Sequence, residues 1–146
     1  MTVSLSGKEV ASKIEEKFSG SVVESSAENL VIKSDRVLDV ARFLKETDGL
    51  DFDYLNFVTA VDRYDHFEVV YLLSSLEHNH SLMIKARCYD RENPALPSVV
   101  DVWQGADFQE REIYDLFGIK FEGHPNMKRI FLWDGFDGHP LRKDYI

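Results

Sequence analysis

The chain has 146 residues, 44% of them hydrophobic and 29% charged, with a formal net charge of −9, which suits one buried core and is too little for two comfortable ones. No run approaches the roughly 18 apolar residues of a membrane span, and the acidic balance opposes non-specific attraction to phosphate backbones. The single cysteine, Cys88, excludes an intrachain disulfide, and residues 1–7 lack the basic start and apolar run of a secretory signal, so a cytoplasmic, reducing setting is expected.

Residues 7 to 18 predict a helix, with Val10, Ile14 and Phe18 on one stripe and charges between them. Ser21-Val22-Val23-Glu24 and Asn29-Leu30-Val31-Ile32 predict a hairpin around the polar turn Ser25-Ser26-Ala27-Glu28. Asp35 reads as the N-cap of a second helix, in which Val37, Val40, Ala41 and Leu44 follow the i, i+3, i+4, i+7 pattern and Gly49 marks the end. Tyr54 to Val61, Phe67 to Leu73 and Ser81 to Cys88 are rich in β-branched and aromatic residues and predict a three-stranded antiparallel meander. Arg91 to Pro97 reads as a turn-rich link, and Ser98 to Trp103 as one more strand.

Past Gly105 the grammar changes. Asp107 reads as an N-cap, with Glu110 completing the reciprocal capping box, of a helix that runs to Phe117 and stops at Gly118. Glycine and proline then recur every few residues, so 118–146 is expected to be extended and irregular. Strands do not alternate regularly with helices, which argues an α+β fold. The expected architecture is a two-layer, mixed or antiparallel sheet with two helices on one face, followed by a helix and an extended C-terminal tail. Residues 1–103 form the core domain and 104–146 the helix and partner-binding tail of the same structural unit.

Chemistry has few footholds. Glu110 and Glu112 point about 200° apart around a helix and cannot easily share a substrate. The plainer reading has Glu110 capping, Arg111 pairing with Asp115, and Glu112 bridging elsewhere. His124 and His139 each sit in a Gly-His-Pro turn, but His66, His78 and His80 add no H-x-x-x-H or C-x-x-C spacing, so no metal site is expected. Both turn histidines are read as hydrogen-bonding backbone carbonyls and orienting the tail. Cys88 reads as a buried apolar residue. Neither G-x-G-x-x-G nor G-x-x-x-x-G-K-[ST] is present. Phe131, Trp133 and Phe136 interleave with Lys128, Arg129 and Asp134, which suits a protein interface better than a nucleic-acid platform in so acidic a chain. Residues 124–146 carry +1 and residues 1–123 carry −10, so the tail is a different surface, as expected of a segment that lies on a partner.

The run Glu110-Arg111-Glu112-Ile113-Tyr114-Asp115-Leu116-Phe117-Gly118-Ile119-Lys120-Phe121-Glu122-Gly123-His124-Pro125, then Arg129-Ile130 and Gly138-His139-Pro140-Leu141-Arg142-Lys143-Asp144-Tyr145, resembles the signature of the C subunit of the proton-pumping NADH:quinone oxidoreductase, respiratory complex I. The same module occurs in related membrane-bound hydrogenases and formate hydrogenlyase. Asp107-Phe108 stands where the family often has a small or amide residue followed by tryptophan, a change that keeps an aromatic anchor. The resemblance implies a peripheral-arm subunit without a redox centre or membrane span, on the cytoplasmic face of the cell membrane. It would dock on the hydrogenase-like large subunit near the quinone site, beside iron–sulfur subunits. FMN, iron–sulfur clusters and quinone are then expected in partner subunits, with no cofactor, metal or nucleic acid bound here. The expected interface residues are Glu110, Arg111, Glu112, Asp115, His124, Arg129, His139, Arg142, Lys143 and Asp144. The alternative reading is the equivalent subunit of a membrane-bound hydrogenase or formate hydrogenlyase complex, and the more remote ones are a hydrolase using Glu110, Glu112 and His124 and an independent acidic binding module.

Overall fold

A computed structural model describes residues 3–27, 30–125, 127 and 138–142. In chain order the elements are β1 (Val3–Ser4), α1 (Gly7–Lys17), β2 (Val22–Ser25), β3 (Leu30–Ile32), a 3-10 turn (Ser34–Arg36) and α2 (Val37–Glu46). There follow β4 (Tyr54–Asp62), β5 (Phe67–Ser75), β6 (His80–Cys88), β7 (Ala95–Pro97), α3 (Ala106–Phe117) and β8 (Lys120–Glu122). The main sheet is mixed. Its path is β2-β3-β6-β5-β4, antiparallel through β4, β5 and β6 as the meander predicts. The far edge of β6 is shared between two parallel partners, β1 at His80 and Ser81 and β3 at Ile84 to Ala86. The predicted hairpin is β2 with β3, and β7 pairs in parallel with β8 as a separate two-stranded ribbon.

Alternation along the strands decides which face is core. Phe67, Val69, Tyr71 and Leu73 on β5, with Leu82, Ile84, Ala86 and Cys88 on β6, pack with Val10 and Ile14 of α1 and Val40, Ala41 and Leu44 of α2. These helices therefore cover one face, and burial of that apolar surface drives the fold. The intervening residues, including Phe57, Val70, Leu72, Met83 and Lys85, lie on the opposite face by register. Cys88 is buried and its thiol is pushed up to about 11 by desolvation, which leaves it protonated and a poor nucleophile at neutral pH.

Three local expectations are corrected. Asp35 does not cap α2: the Arg36 amide donates to the Lys33 carbonyl at 3.0 Å, and this 3-10 turn leads straight into the helix. Asp107 does not cap α3 either. The residue before α3 is Gly105, already in helical conformation, and the Ala106 and Asp107 amides are satisfied by the Trp103 and Gln104 carbonyls of a preceding turn. Asp107 is therefore the second residue inside the helix rather than the residue before it, and Glu110 is left to bond elsewhere. Ser98 to Trp103 is not a strand. The strand lies earlier, at Ala95–Pro97, and the Val102 and Trp103 amides both turn back on the Val99 carbonyl. Val99, Val102 and Trp103 enter the core from that turn, which gives an apolar run that mimics a buried strand.

One ion pair closes the end of the meander. Arg91 makes a two-pronged contact with Asp62, at 2.6 and 2.9 Å, and its guanidinium lies 4.5 Å from the centre of the Phe67 ring. The Asp62 side chain is 1% exposed, so removal of the cation strands a buried carboxylate. Arg91→Ala is expected to lower unfolding free energy by about 3 kcal/mol, with Arg91→Ala/Asp62→Asn recovering part of the loss. Urea denaturation of the two variants measures this, and equal losses in both would show that the pair is not coupled.

Candidate partner interface

The signature helix α3 is held from inside by one carboxylate. Glu110 is fully buried, takes a hydrogen bond of 2.5 Å from the Ser98 hydroxyl and one of 2.9 Å from the Val99 amide, and so fixes the turn that joins β7 to α3. Burial pushes its carboxyl up to about 7, against the pull of the Ser98 and Val99 donors, with Asp107 adding a smaller upward push. Glu110 is thus an internal latch rather than a helix cap or a surface contact. Asp115 is equally buried, so its carboxylate also faces inward rather than toward a partner.

The two Gly-His-Pro turns bracket this helix. At its start, the His124 side chain is fully buried and its Nε2 lies 2.9 Å from Asp107 Oδ1 and 3.4 Å from the Asp107 carbonyl. At its end, His139 Nδ1–H donates to the Asp115 carbonyl at 2.9 Å, and the ring sits 5.8 Å from that of Tyr114. Carbonyl contact by the turn histidines is thus the main bond for His139 and the longer one for His124. Gly118 ends the helix at φ 81°, and a Cβ there would meet the His139 ring at 2.8 Å. The glycine supplies both the left-handed turn and the space for the imidazole.

The last described residues fold back on the body. Leu141 donates its amide to the Leu116 carbonyl, and Arg142 donates to the Arg91 carbonyl at 2.6 Å with its guanidinium 5.0 Å from the Phe67 ring centre. Arg142 therefore shares its aromatic platform with Arg91. Arg129, Lys143 and Asp144, with Lys128, Phe131, Trp133, Asp134 and Phe136, lie outside the described residues.

What α3 presents outward is Phe108, 64% exposed, with the Arg111 guanidinium 5.4 Å from its ring centre, and the exposed Glu112. Exposed Leu141 adds an apolar residue on the segment that docks at the end of the helix. An aromatic stacked by arginine is a frequent interface anchor. Glu110 and Glu112 point to opposite sides, one buried and one exposed, so they form no carboxylate pair. Ser98, Arg91 and Phe108 were missed as site residues from the sequence. Only the apolar Phe108 at a polar helical position gave a signal, because the roles of Ser98 and Arg91 depend on contacts with residues far along the chain. Elsewhere, Asp51, Glu77 and His78 place one ligand atom each within 4.8 Å of one another, with His78 Nε2 already 2.6 Å from Asp51.

Residues 30–146 match the family described as respiratory-chain NADH dehydrogenase, 30 Kd subunit. The chain is 43% identical over 117 residues to the C 2 subunit of the NADH-quinone oxidoreductase of Rhizobium meliloti, a match that covers 78% of this chain and 63% of that protein. It is 44% identical over 112 residues to the mitochondrial NADH-ubiquinone oxidoreductase 30.4 kDa subunit of Neurospora crassa, covering 75% of this chain and 39% of that one. The chain thus spans less than two thirds of the length of these relatives. Among solved structures, a chain of the membrane-bound sulfane sulfur reductase, an archaeal respiratory membrane complex, superposes with a TM-score of 0.75 at 29% identity, over 96% of this chain and 85% of that one.

Two outcomes follow from the latch. The folded state holds the Glu110 proton up to about pH 7, against an ordinary value of 4.5. Its contribution is therefore complete below pH 4.5 and is lost as pH rises toward 7, by roughly 3 kcal/mol in all. Urea midpoints of the parent chain should fall between pH 5 and 8 while those of Glu110→Gln stay flat; parallel slopes would exclude Glu110 as the source. Gly118→Ala should cost about 2 kcal/mol through the positive φ and the clash with His139, and an unchanged melting temperature would exclude that close approach.

Proposed function

The chain belongs to the respiratory-chain NADH dehydrogenase 30 Kd subunit family, and from that premise we propose that it is a non-redox peripheral-arm subunit of an NADH:quinone oxidoreductase. In this reading it docks on the hydrogenase-like large subunit near the quinone site and supports assembly of the electron-transfer arm, at the cytoplasmic face of the membrane. Flavin, iron–sulfur clusters and quinone belong to its partners. The observation that carries the reading is the match over residues 30–146, which includes the whole α3 signature and both Gly-His-Pro turns. None of the helices among the described residues is long and apolar enough to cross a membrane, in keeping with a peripheral position.

The geometry suggests how such a subunit works. Chemistry requires groups poised over a substrate, whereas here the buried Glu110 and the two turn histidines are spent on holding α3. Rigid placement of Phe108, Arg111 and Glu112 lowers the ordering cost of association, because little is left to immobilise at the interface. A second reading, the equivalent subunit of a complex with another electron acceptor, is favoured by the likeness to the sulfane sulfur reductase chain. Both readings assign the same role to this chain and differ in its partners.

Affinity purification of the tagged protein from its native membranes, with mass spectrometry of what is retained and an assay of quinone reduction, tests the proposal. A hydrogenase-like large subunit and iron–sulfur subunits in near-equal amounts with quinone reductase activity are the expected result. The same partners without quinone reduction would favour the second reading, and elution of the chain alone would overturn both. Replacing Phe108 by Asp or Arg111 by Glu should reduce recovery of the large subunit about tenfold or more without unfolding the chain. Unchanged recovery would remove the outer face of α3 from the interface.

A further inference from the structure

The sheet face opposite α1 and α2 has no helix over it among the described residues. Its register brings together Phe57, Leu72 and Met83 in one row and Val70, Lys85 and Val31 in the next. Val31 and Val70 are buried, yet neither belongs to the core beneath the helices. A second apolar surface therefore exists on the other side of the sheet.

Toward β2 this surface deepens into a cleft of about 440 Å³, lined by Val23, Val31, Lys33, Asp35, Arg87 and Tyr89 among others. Val23 and Tyr89, 51% and 63% exposed, are two large apolar groups left at its rim. The lining named above carries two cations and one carboxylate on a chain whose net charge is −9. Deeper on the same face, Arg63, Lys85 and Arg87 crowd within 3.5 to 3.7 Å of a single buried carboxylate, Glu68. Arg87 also reaches Glu24 at 3.2 Å, so its guanidinium is held between two carboxylates and Lys33 is the exposed cation of the cleft. A concave apolar floor with an aromatic rim and positive charge suits an apolar side chain followed by a carboxylate.

We propose that this cleft and the adjoining sheet face form a second docking surface, taking a segment of a partner subunit that inserts an apolar side chain between Val23 and Tyr89 and places a carboxylate against Lys33. It lies on the main sheet, apart from the outward face of α3, so the subunit would bridge two partner surfaces rather than sit on one. The inference rests on the proposed role as a subunit of a larger complex.

The test is hydroxyl-radical footprinting of the intact complex, purified through this chain, beside the isolated full chain. Tyr89 and Met83 should be oxidised about fivefold more slowly in the complex. A benzophenone amino acid at position 89 should crosslink to a partner segment bearing Asp or Glu. Lys33→Glu/Tyr89→Ser, both at exposed positions, should keep the circular dichroism of the parent and lower retention of that crosslinked partner about tenfold. Equal oxidation of Tyr89 in complex and isolated chain would overturn the surface while leaving the subunit role intact. A crosslink to a basic segment, or protection already present in a dimer of the isolated chain, would overturn the stated occupant. Failure of the chain to enter any complex would instead overturn the role itself.

Discussion

The arrangement of the C-terminal half depends on a single buried carboxylate. Glu110 takes the Ser98 hydroxyl and the Val99 amide as donors, and without those bonds the turn between β7 and α3 would leave polar groups stranded in the core. Fixing that turn sets where α3 starts. It also holds β7 in place to receive β8, whose Glu122 carbonyl accepts from the Ser98 amide at 2.8 Å. A carboxyl raised to about 7 by burial is a costly way to join two segments, and its donors recover only part of that cost. The acid is therefore both a buried junction between two segments and a group whose protonation the fold feels.

From that anchor the geometry spreads outward. α3 is held at its first turn by His124 and at its last by His139, and the left-handed Gly118 leaves room for the second imidazole. The segment after Gly138 is returned to the body by the Leu141 and Arg142 contacts, the latter beside the Arg91 pair with Asp62. Two acids and two histidines of the motif are thus turned inward. Among the described residues, the outer face of α3 and the returning segment present an aromatic with its arginine, a glutamate and a leucine. Such a surface resembles an interface anchor with a polar rim more than a reaction centre.

Most of the fold was legible along the chain because its signals are local. Val10 and Ile14, or Val40 and Leu44, announce helices by spacing, and the β-branched runs of β4, β5 and β6 announce strands whose short polar breaks permit only antiparallel neighbours. The local pattern misleads where another segment supplies what it calls for. Asp35 and Asp107 look like caps, yet each lies inside a helical turn that has already begun before it. Val99, Val102 and Trp103 look like a strand because they are apolar, but their burial comes from a turn packed on the helix layer. The parallel partners of β6 were not visible at all, since β1 is two residues long and its pairing lies more than seventy residues away.

For the site, the family signature could be read from residue order alone, because Glu110 to Pro125 and the second Gly-His-Pro turn recur as a pattern of residue types. The sequence by itself thus determined the class of fold, most of the helix and strand positions and the family. Which side of α3 each charge faces was decided only in three dimensions. Glu110 and Asp115 turned inward while Arg111 and Glu112 stayed outward, a division set by packing against Ser98, Val99 and β4. Burial and hydrogen bonding depend on what lies across the fold, and a linear pattern carries periodicity but not the identity of the neighbour on the far side.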